Sequence, residues 1–435
     1  MPEHHAYGAI EDYQDNELVV ALPDYGVVKA ELARLDVKIS EVDPDKGLGL
    51  ALLTLDNVGD ALRGLPTYAK LVAGTARAKW RGGLPKRDDG PSDLDVLFYA
   101  LREGISRKYG GWIPEVGKNR TISPVMGFPH VSGCLEGDPR ELLFANPGPI
   151  AQAWPPRPTE PGHGVQVGLL DTKMYRHPWL DGGYLATAND LFTIPSGGDV
   201  PAPEGHATFI AGLILQQAPG ARLTVRYVMG PQALGKVWDV AKAIVQVASK
   251  GVHILNLSFG CYTDDGQPPL VLAKAVQLVS RDVLLVAAAG NHGNIEELRA
   301  KGDPAAAALW MKNIKDKTPV WPAAFAEVTA VGATDAKGGR APFSPDVPWV
   351  DVTARGVGVE STYLQGCVRL THPAAGSAPA QELKQFDGFA SWDGTSFAAG
   401  TVSGAIAAKM GPGRDAYQAL DAVLADPKSG VKWFG

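Results

Sequence analysis

The sequence predicts an α/β protein: a doubly wound, mostly parallel sheet with helices on both faces, preceded by a smaller α+β N-terminal region. Three observations carry this expectation. From residue 165 onward, short apolar runs of strand length alternate with longer runs of helical period. Asp171 and Asn291 fall at the carboxyl ends of two of those strands, where sites gather in such sheets. Upstream, residues 16–62 carry a separate strand-helix-strand-strand-helix order, the layout of a split βαβ unit.

Residues 1–15 are polar and expected to be loose. Leu18 to Leu22 reads as a strand. Tyr25 to Leu35 reads as a helix, with Val27, Val28, Leu32 and Leu35 at helical spacing. Val37–Val42 and Leu48–Leu55 read as strands, and a second helix starts at Asn57, capped by Asn57 or Asp56. The basic, Gly/Pro-rich stretch 80–92 reads as a loop, after which Ser92 caps a helix from Asp93 to Tyr109. Little regular structure is expected from Gly110 to Pro149. Pro155, Pro156, Pro158 and Pro161, preceded by Pro147 and Pro149, mark an extended linker over 151–163. The N-terminal region thus spans 16–150 and the main domain 164–435. Within the main domain, the strand candidates are Val165–Leu170, Leu223–Val228, Val252–Leu257, Val283–Ala289, Val328–Gly332 and Trp349–Thr353. The helix candidates are Ala207–Gln217, Lys236–Lys250, Pro269–Ser280 and Ser396–Met410.

Gly394-Thr395-Ser396 presents a serine at the start of a tightly packed helix, in the positive end of its dipole. A hydroxyl needs a base to become a nucleophile. Gly205-His206 opens another apolar helix, and Asp171 ends an apolar strand, so a base and an orienting acid both lie upstream. Val283 to Ala289 runs into Gly290-Asn291-His292-Gly293.

In that order, these four blocks resemble the subtilisin-like serine peptidases over roughly Gly164 to Met410; the chain order Asp, His, Ser is subtilisin's. The resemblance implies a serine endopeptidase with Asp171, His206 and Ser396 as triad and Asn291 as oxyanion donor. It also implies a peptide or protein substrate lying between Leu234-Gly235 and Ser258-Phe259-Gly260 as an added strand. Ala289 and Gly290 would leave room for the side chain before the scissile bond, with His292 at that pocket's rim. Trp321-Pro322 resembles a family dipeptide with a cis bond. Residues 16–62 have the layout of a subtilase propeptide, although no residue motif supports it.

Four departures from the family pattern stand out. Thr172-Lys173 follows the triad Asp. Phe397 follows the Ser where Met is common. Gly400-Thr401 stands where Pro-His is usual, which suggests a flexible helix start. Leu213–Pro219 is too short for the family's calcium loop, so no metal is expected there. Glu296–Lys317 and Glu360–Ala390 read as insertions that restrict the cleft.

The 435 residues are 45% hydrophobic, enough for two domains, and the net charge of -6 argues against nucleic acid as a partner. No signal region or membrane-spanning run is visible, so a cytoplasmic protein is expected. No cofactor is implied. Cys134, Cys261 and Cys367 are too few for a disulfide scaffold, although Cys261 and Cys367 could approach one another. Two other readings remain open: a catalytically silent peptide-binding protein on the same scaffold, and a transpeptidase, which rests only on Phe397 and Gly400.

Overall fold

Alternate residues of the central strands feed two different cores. In Leu284–Ala288, Leu284, Val286 and Ala288 face one apolar cluster, while Leu285 and Ala287 face another. Such strands are apolar throughout because both faces are covered. This arrangement emerges from the computed structural model, which describes residues 13–80, 90–124, 139–140, 159–230, 234–263, 266–300, 314–372 and 380–434.

The N-terminal region comprises β1 (Tyr13–Ala21), α1 (Tyr25–Arg34), β2 (Lys38–Asp45), β3 (Leu50–Asp56), α2 (Val58–Arg63), α3 (Tyr68–Trp80), α4 (Asp93–Lys108) and β4 (Val116–Pro124). Its strands run in the order β4-β1-β3-β2, each antiparallel to its neighbours. The helix from Asp93 has the expected start, with Ser92 accepting from the Asp95 N–H and the Asp95 carboxylate accepting from the Ser92 N–H. Asn57 does not cap α2. It sits at φ +54°, and its side chain links the Asp36 carbonyl and the Lys38 N–H instead. Gly110–Pro149 is not wholly irregular, because β4 lies within it.

Beyond residue 159 come β5 (Gln166–Asp171), β6 (Met174–Tyr175), β7 (Tyr184–Leu185), β8 (Leu191–Phe192), β9 (Asp199–Pro201), α5 (His206–Gln217), β10 (Arg222–Tyr227), β11 (Gly235–Lys236), α6 (Val237–Ala248), β12 (Ile254–Leu257), β13 (Phe259–Gly260), α7 (Leu270–Val279), β14 (Leu284–Ala288), α8 (Ile295–Ala300), β15 (Val328–Thr334), β16 (Val352–Arg355), β17 (Val359–His372), β18 (Ala380–Trp392), α9 (Thr395–Lys409), α10 (Ala416–Leu424) and β19 (Lys432–Trp433). The main sheet runs β19-β16-β15-β14-β12-β5-β10-β7, parallel except at β19. Helices α5 and α9 contribute to one core, α6 and α7 to the other. The second core also takes Val19, Ala21, Leu48, Leu50 and Ile122, so the N-terminal sheet packs its outer face on α6 and α7. Helix α5 runs unbroken to Gln217, and the short link Ala218 to Ala221 joins it to β10.

The Glu360–Ala390 insertion forms the β17–β18 hairpin. Its buried side chains Tyr363, Leu364, Val368, Phe386 and Trp392 join the α5 core. Ser361 and Thr362 donate to the Phe209 and Thr208 carbonyls of α5. These residues buttress the helix that carries His206. The middle of the other insertion, 301–313, lies outside the described residues.

Cys261 and Cys367 are both free thiols. Cys261 is buried beside Trp321, whereas Cys367 sits in β17 opposite Asp199, so the suggested pairing is not made. Cys134 lies outside the described residues. The Trp321-Pro322 bond is cis. No described helix is long and apolar enough to cross a membrane.

Candidate active site

Asp171 closes β5 and His206 opens α5, and their side chains meet in a fully buried site. His206 Nδ1 lies 2.8 Å and 3.0 Å from the two Asp171 oxygens. Asp171 also accepts from the Thr172 N–H at 2.7 Å. A carboxylate only accepts, so Nδ1 carries a proton, and in the neutral imidazole Nε2 is the acceptor. Nε2 is buried with no hydrogen-bond partner among the described residues. A buried, unpaired acceptor is costly unless a donor can reach it. Thr172 has a role that the sequence did not reveal: its hydroxyl accepts from the Ala207 N–H at 3.2 Å, tying the end of β5 to the start of α5. Lys173 is drawn aside, its ammonium 5.0 Å from the centre of the Tyr227 ring.

Ser396 is buried in the first turn of α9 and donates from Oγ to the Ser258 carbonyl at 3.2 Å. Ser258 Oγ in turn donates to the Ser396 carbonyl at 3.1 Å. Asn256 donates to Ser258 Oγ at 2.8 Å and accepts from Ser403 at 3.0 Å, so α9 is bonded to the strand beside it at two levels. Gly400 lies within α9. A Cβ there would lie 3.1 Å from Ile210, so glycine allows α9 to pack closely on α5. Phe397 and Trp392 pack against the His206 ring, with centroids 5.6 Å and 6.1 Å away.

Asn291 accepts at Oδ1 from the Thr395 N–H (3.0 Å) and the Thr395 hydroxyl (2.9 Å). Those two donors fix the amide orientation, so Nδ2 is the donating end. Nδ2 lies near Gly394, where a Cβ would sit 3.4 Å from it. Thr395 was missed in the sequence; only its place before the serine could have marked it.

His292 is not at a pocket rim. It is fully buried behind Gly290, donating from Nε2 to the Thr318 carbonyl at 2.9 Å and accepting at Nδ1 from the Tyr262 hydroxyl. Gly290, at φ +112°, leaves the room that this ring needs, since a Cβ there would lie 2.7 Å from it. Ala289 packs with Val347 and Val350.

Burial pushes the His292 imidazole down to about 4, and His177, donating to the Gly388 carbonyl, is likewise pushed down to about 4. In the unfolded chain both titrate near pH 6.5. Above that pH neither state is charged and stability is complete. Between pH 6.5 and 4 the unfolded chain takes up the proton first, so stability falls by up to about 3 kcal/mol per histidine. Urea unfolding of Ser396→Ala should show this loss between pH 7 and 4.5, and adding His292→Gln should flatten the slope. An unchanged slope would place the acid sensitivity elsewhere.

The expected cleft walls are already paired with the chain itself. β4 lies between β11 and β13, antiparallel to both, with Gly235 opposite Ile122, Lys236 opposite Thr121, Gly260 opposite Ser123 and Phe259 opposite Pro124. Leu234 accepts from the Gly230 N–H at the start of the first wall. Asn119 in β4 accepts from the Trp238 N–H at 3.0 Å, satisfying a free donor in the first turn of α6, and donates to Glu17. Glu17 also accepts from Lys236, and Asp43 accepts from Trp238 Nε1 and Lys242. Among the described residues, no three His, Cys, Asp or Glu side chains are grouped to hold a metal.

A buried Asp–His pair with a serine at a helix start, on the carboxyl edge of a parallel sheet, defines the class of serine hydrolases. Within that class, this chain belongs to the Subtilase family (Peptidase_S8), whose pattern matches residues 162–417, and it is a subtilisin-like serine protease. Subtilisin BL of Lederbergia lenta is 32% identical over 240 residues, covering 51% of this chain and 78% of that protein. An alkaline protease of Alkalihalobacillus alcalophilus is also 32% identical over 240 residues, covering 51% of this chain and 55% of the relative. Among solved structures, fervidolysin from Fervidobacterium pennivorans, a keratinolytic enzyme related to subtilisin, superposes with a TM-score of 0.55 at 17% identity, covering 95% of this chain and 57% of that one.

Proposed function

We propose that the chain hydrolyses peptide bonds with Ser396 as nucleophile, His206 as general base, Asp171 as the group that orients the imidazole, and Asn291 as oxyanion donor. The carrying observation is the buried His206 Nε2, paired on its far side to Asp171 and lacking a hydrogen-bond partner among the described residues. In this reading the Ser396 hydroxyl turns from the Ser258 carbonyl to Nε2 and gives up its proton as it attacks the substrate carbonyl. Asp171 stabilises the resulting imidazolium. The oxyanion takes hydrogen bonds from Asn291 Nδ2 and the Ser396 N–H. Labelling by a fluorophosphonate, lost in Ser396→Ala, tests the assignment.

Asn291→Ala should lower kcat by roughly 10²–10³ with little change in KM, because the lost bond is made in the transition state. Steady-state kinetics on a short peptide decide this. An effect confined to KM would make Asn291 a substrate-positioning group.

The N-terminal region is read as propeptide-like. β4 supports this, since it holds the place of a substrate strand. Self-processing, where it occurs, is expected between β4 and Arg140. A restricted substrate range is also expected, because a competing peptide must first displace a strand of its own chain.

A further inference from the structure

We propose that Arg140, from the segment upstream of the family-matched domain, is a positioning residue for the nucleophile turn. The inference rests on Ser396 as nucleophile. Arg140 and Asp393 are 253 residues apart in sequence, yet their side chains form a two-pronged pair, Nη1 to Oδ2 at 2.9 Å and Nη2 to Oδ1 at 2.6 Å. The backbones also exchange two hydrogen bonds, Arg140 N–H to the Ser391 carbonyl and Ser391 N–H to the Arg140 carbonyl, each 2.8 Å. Residue 140 thus lies antiparallel on the last turn-proximal residues of β18.

Asp393 opens the turn Asp393-Gly394-Thr395-Ser396 and is almost fully buried, at 1% exposure. Its Oδ1 also accepts from the Gly358 N–H at 2.5 Å, and the Gly394 N–H donates to the Gly356 carbonyl at 2.8 Å. One carboxylate therefore joins the segment after β16, the end of β18 and the turn that presents the nucleophile. A buried carboxylate needs a charged partner as well as neutral donors. Arg140 supplies the guanidinium, whose planar fork fixes the carboxylate plane as a lysine would not. Thr395, two residues on, holds Asn291, so a shift of this turn moves nucleophile and oxyanion donor together.

Consequently the catalytic unit includes Arg140. Release of the N-terminal domain leaves the enzyme whole only if the cut falls before Arg140, and the Pro-rich stretch is not the functional boundary.

The test uses the full-length protein, with mass spectrometry ensuring that variants are compared in the same covalent state. Arg140→Ala should lower kcat on a short peptide about tenfold or more while KM changes less than threefold. Arg140→Lys should recover only part of it. Arg140→Ala/Asp393→Asn should be faster than Arg140→Ala, because the unpaired charge is gone. Millimolar guanidinium should restore Arg140→Ala but not the double variant. In a Ser396→Ala background, Arg140→Ala should accelerate hydrogen exchange at 394–396, a readout that needs no activity. Unchanged kcat with unchanged exchange, or strictly additive losses in the double variant, would overturn the proposal. An effect confined to KM would also overturn it and place Arg140 at substrate. If wild type shows no Ser396-dependent hydrolysis while exchange still responds, the nucleophile assignment has failed and the anchoring of the turn has not.

Discussion

Ser396→Ala is expected to abolish fluorophosphonate labelling and to lower kcat on a peptide by roughly 10⁶-fold, the scale on which loss of a triad serine acts when its partners work as a unit. The fold should persist. Ser396 Oγ donates a weak hydrogen bond to the Ser258 carbonyl at 3.2 Å, and the helix beneath it is held by other contacts: Ala398, Ala399 and Val402 in the core and Ser403 on Asn256. The residual rate should exceed that of water, because Asn291 and the cleft strands remain. Intact mass compared with wild type gives a second readout, since any self-processed species should disappear. Labelling or hydrolysis at wild-type rates would show that another residue carries the chemistry.

The parallel sheet and the meeting of Asp171 with His206 were legible because their signals are local. Apolar strands buried on both faces read as continuous runs; Asp171 stands at the end of one such strand, and His206 and Ser396 at the starts of two helices. β4 was not legible, because its middle carries Lys118, Asn119 and Arg120, all buried. Their burial depends on distant partners: Lys118 pairs with Asp95 at 2.6 Å, and Asn119 binds Glu17 and the start of α6. A period-of-two pattern cannot register polar residues that are satisfied across an interface. The His292 placement failed for a related reason. Adjacency to Asn291 suggested the cleft, but the positive φ of Gly290 leaves its ring on the far side, toward Thr318 and Tyr262. Arg140 was invisible as well, since a lone arginine before a Pro-rich stretch carries no sign of a partner 253 residues away.

Freeing the cleft of β4 should raise activity in the intact chain. A strand tethered through its own domain has an effective concentration on the order of mM, so modest affinity keeps the cleft filled. Ile122, opposite Gly235 and 1% exposed, is packed among the residues of α6 and α7. Ile122→Asp would bury a carboxylate there with no partner, which favours the displaced strand. Each ~1.4 kcal/mol of weakening opens the cleft tenfold more often until the open form dominates. Initial rates on a short chromogenic peptide should therefore rise at least tenfold over wild type at the same covalent state. Asn119→Leu, which removes the cap on the Trp238 N–H, should act in the same direction with a smaller effect. A protein-sized substrate distinguishes the competing idea that the N-terminal region recruits its target, because Ile122→Asp would then slow protein cleavage and leave peptide hydrolysis unchanged. Equal peptide rates in wild type and both variants would mean that β4 does not gate the site and that this sheet serves only to complete the fold around α6 and α7.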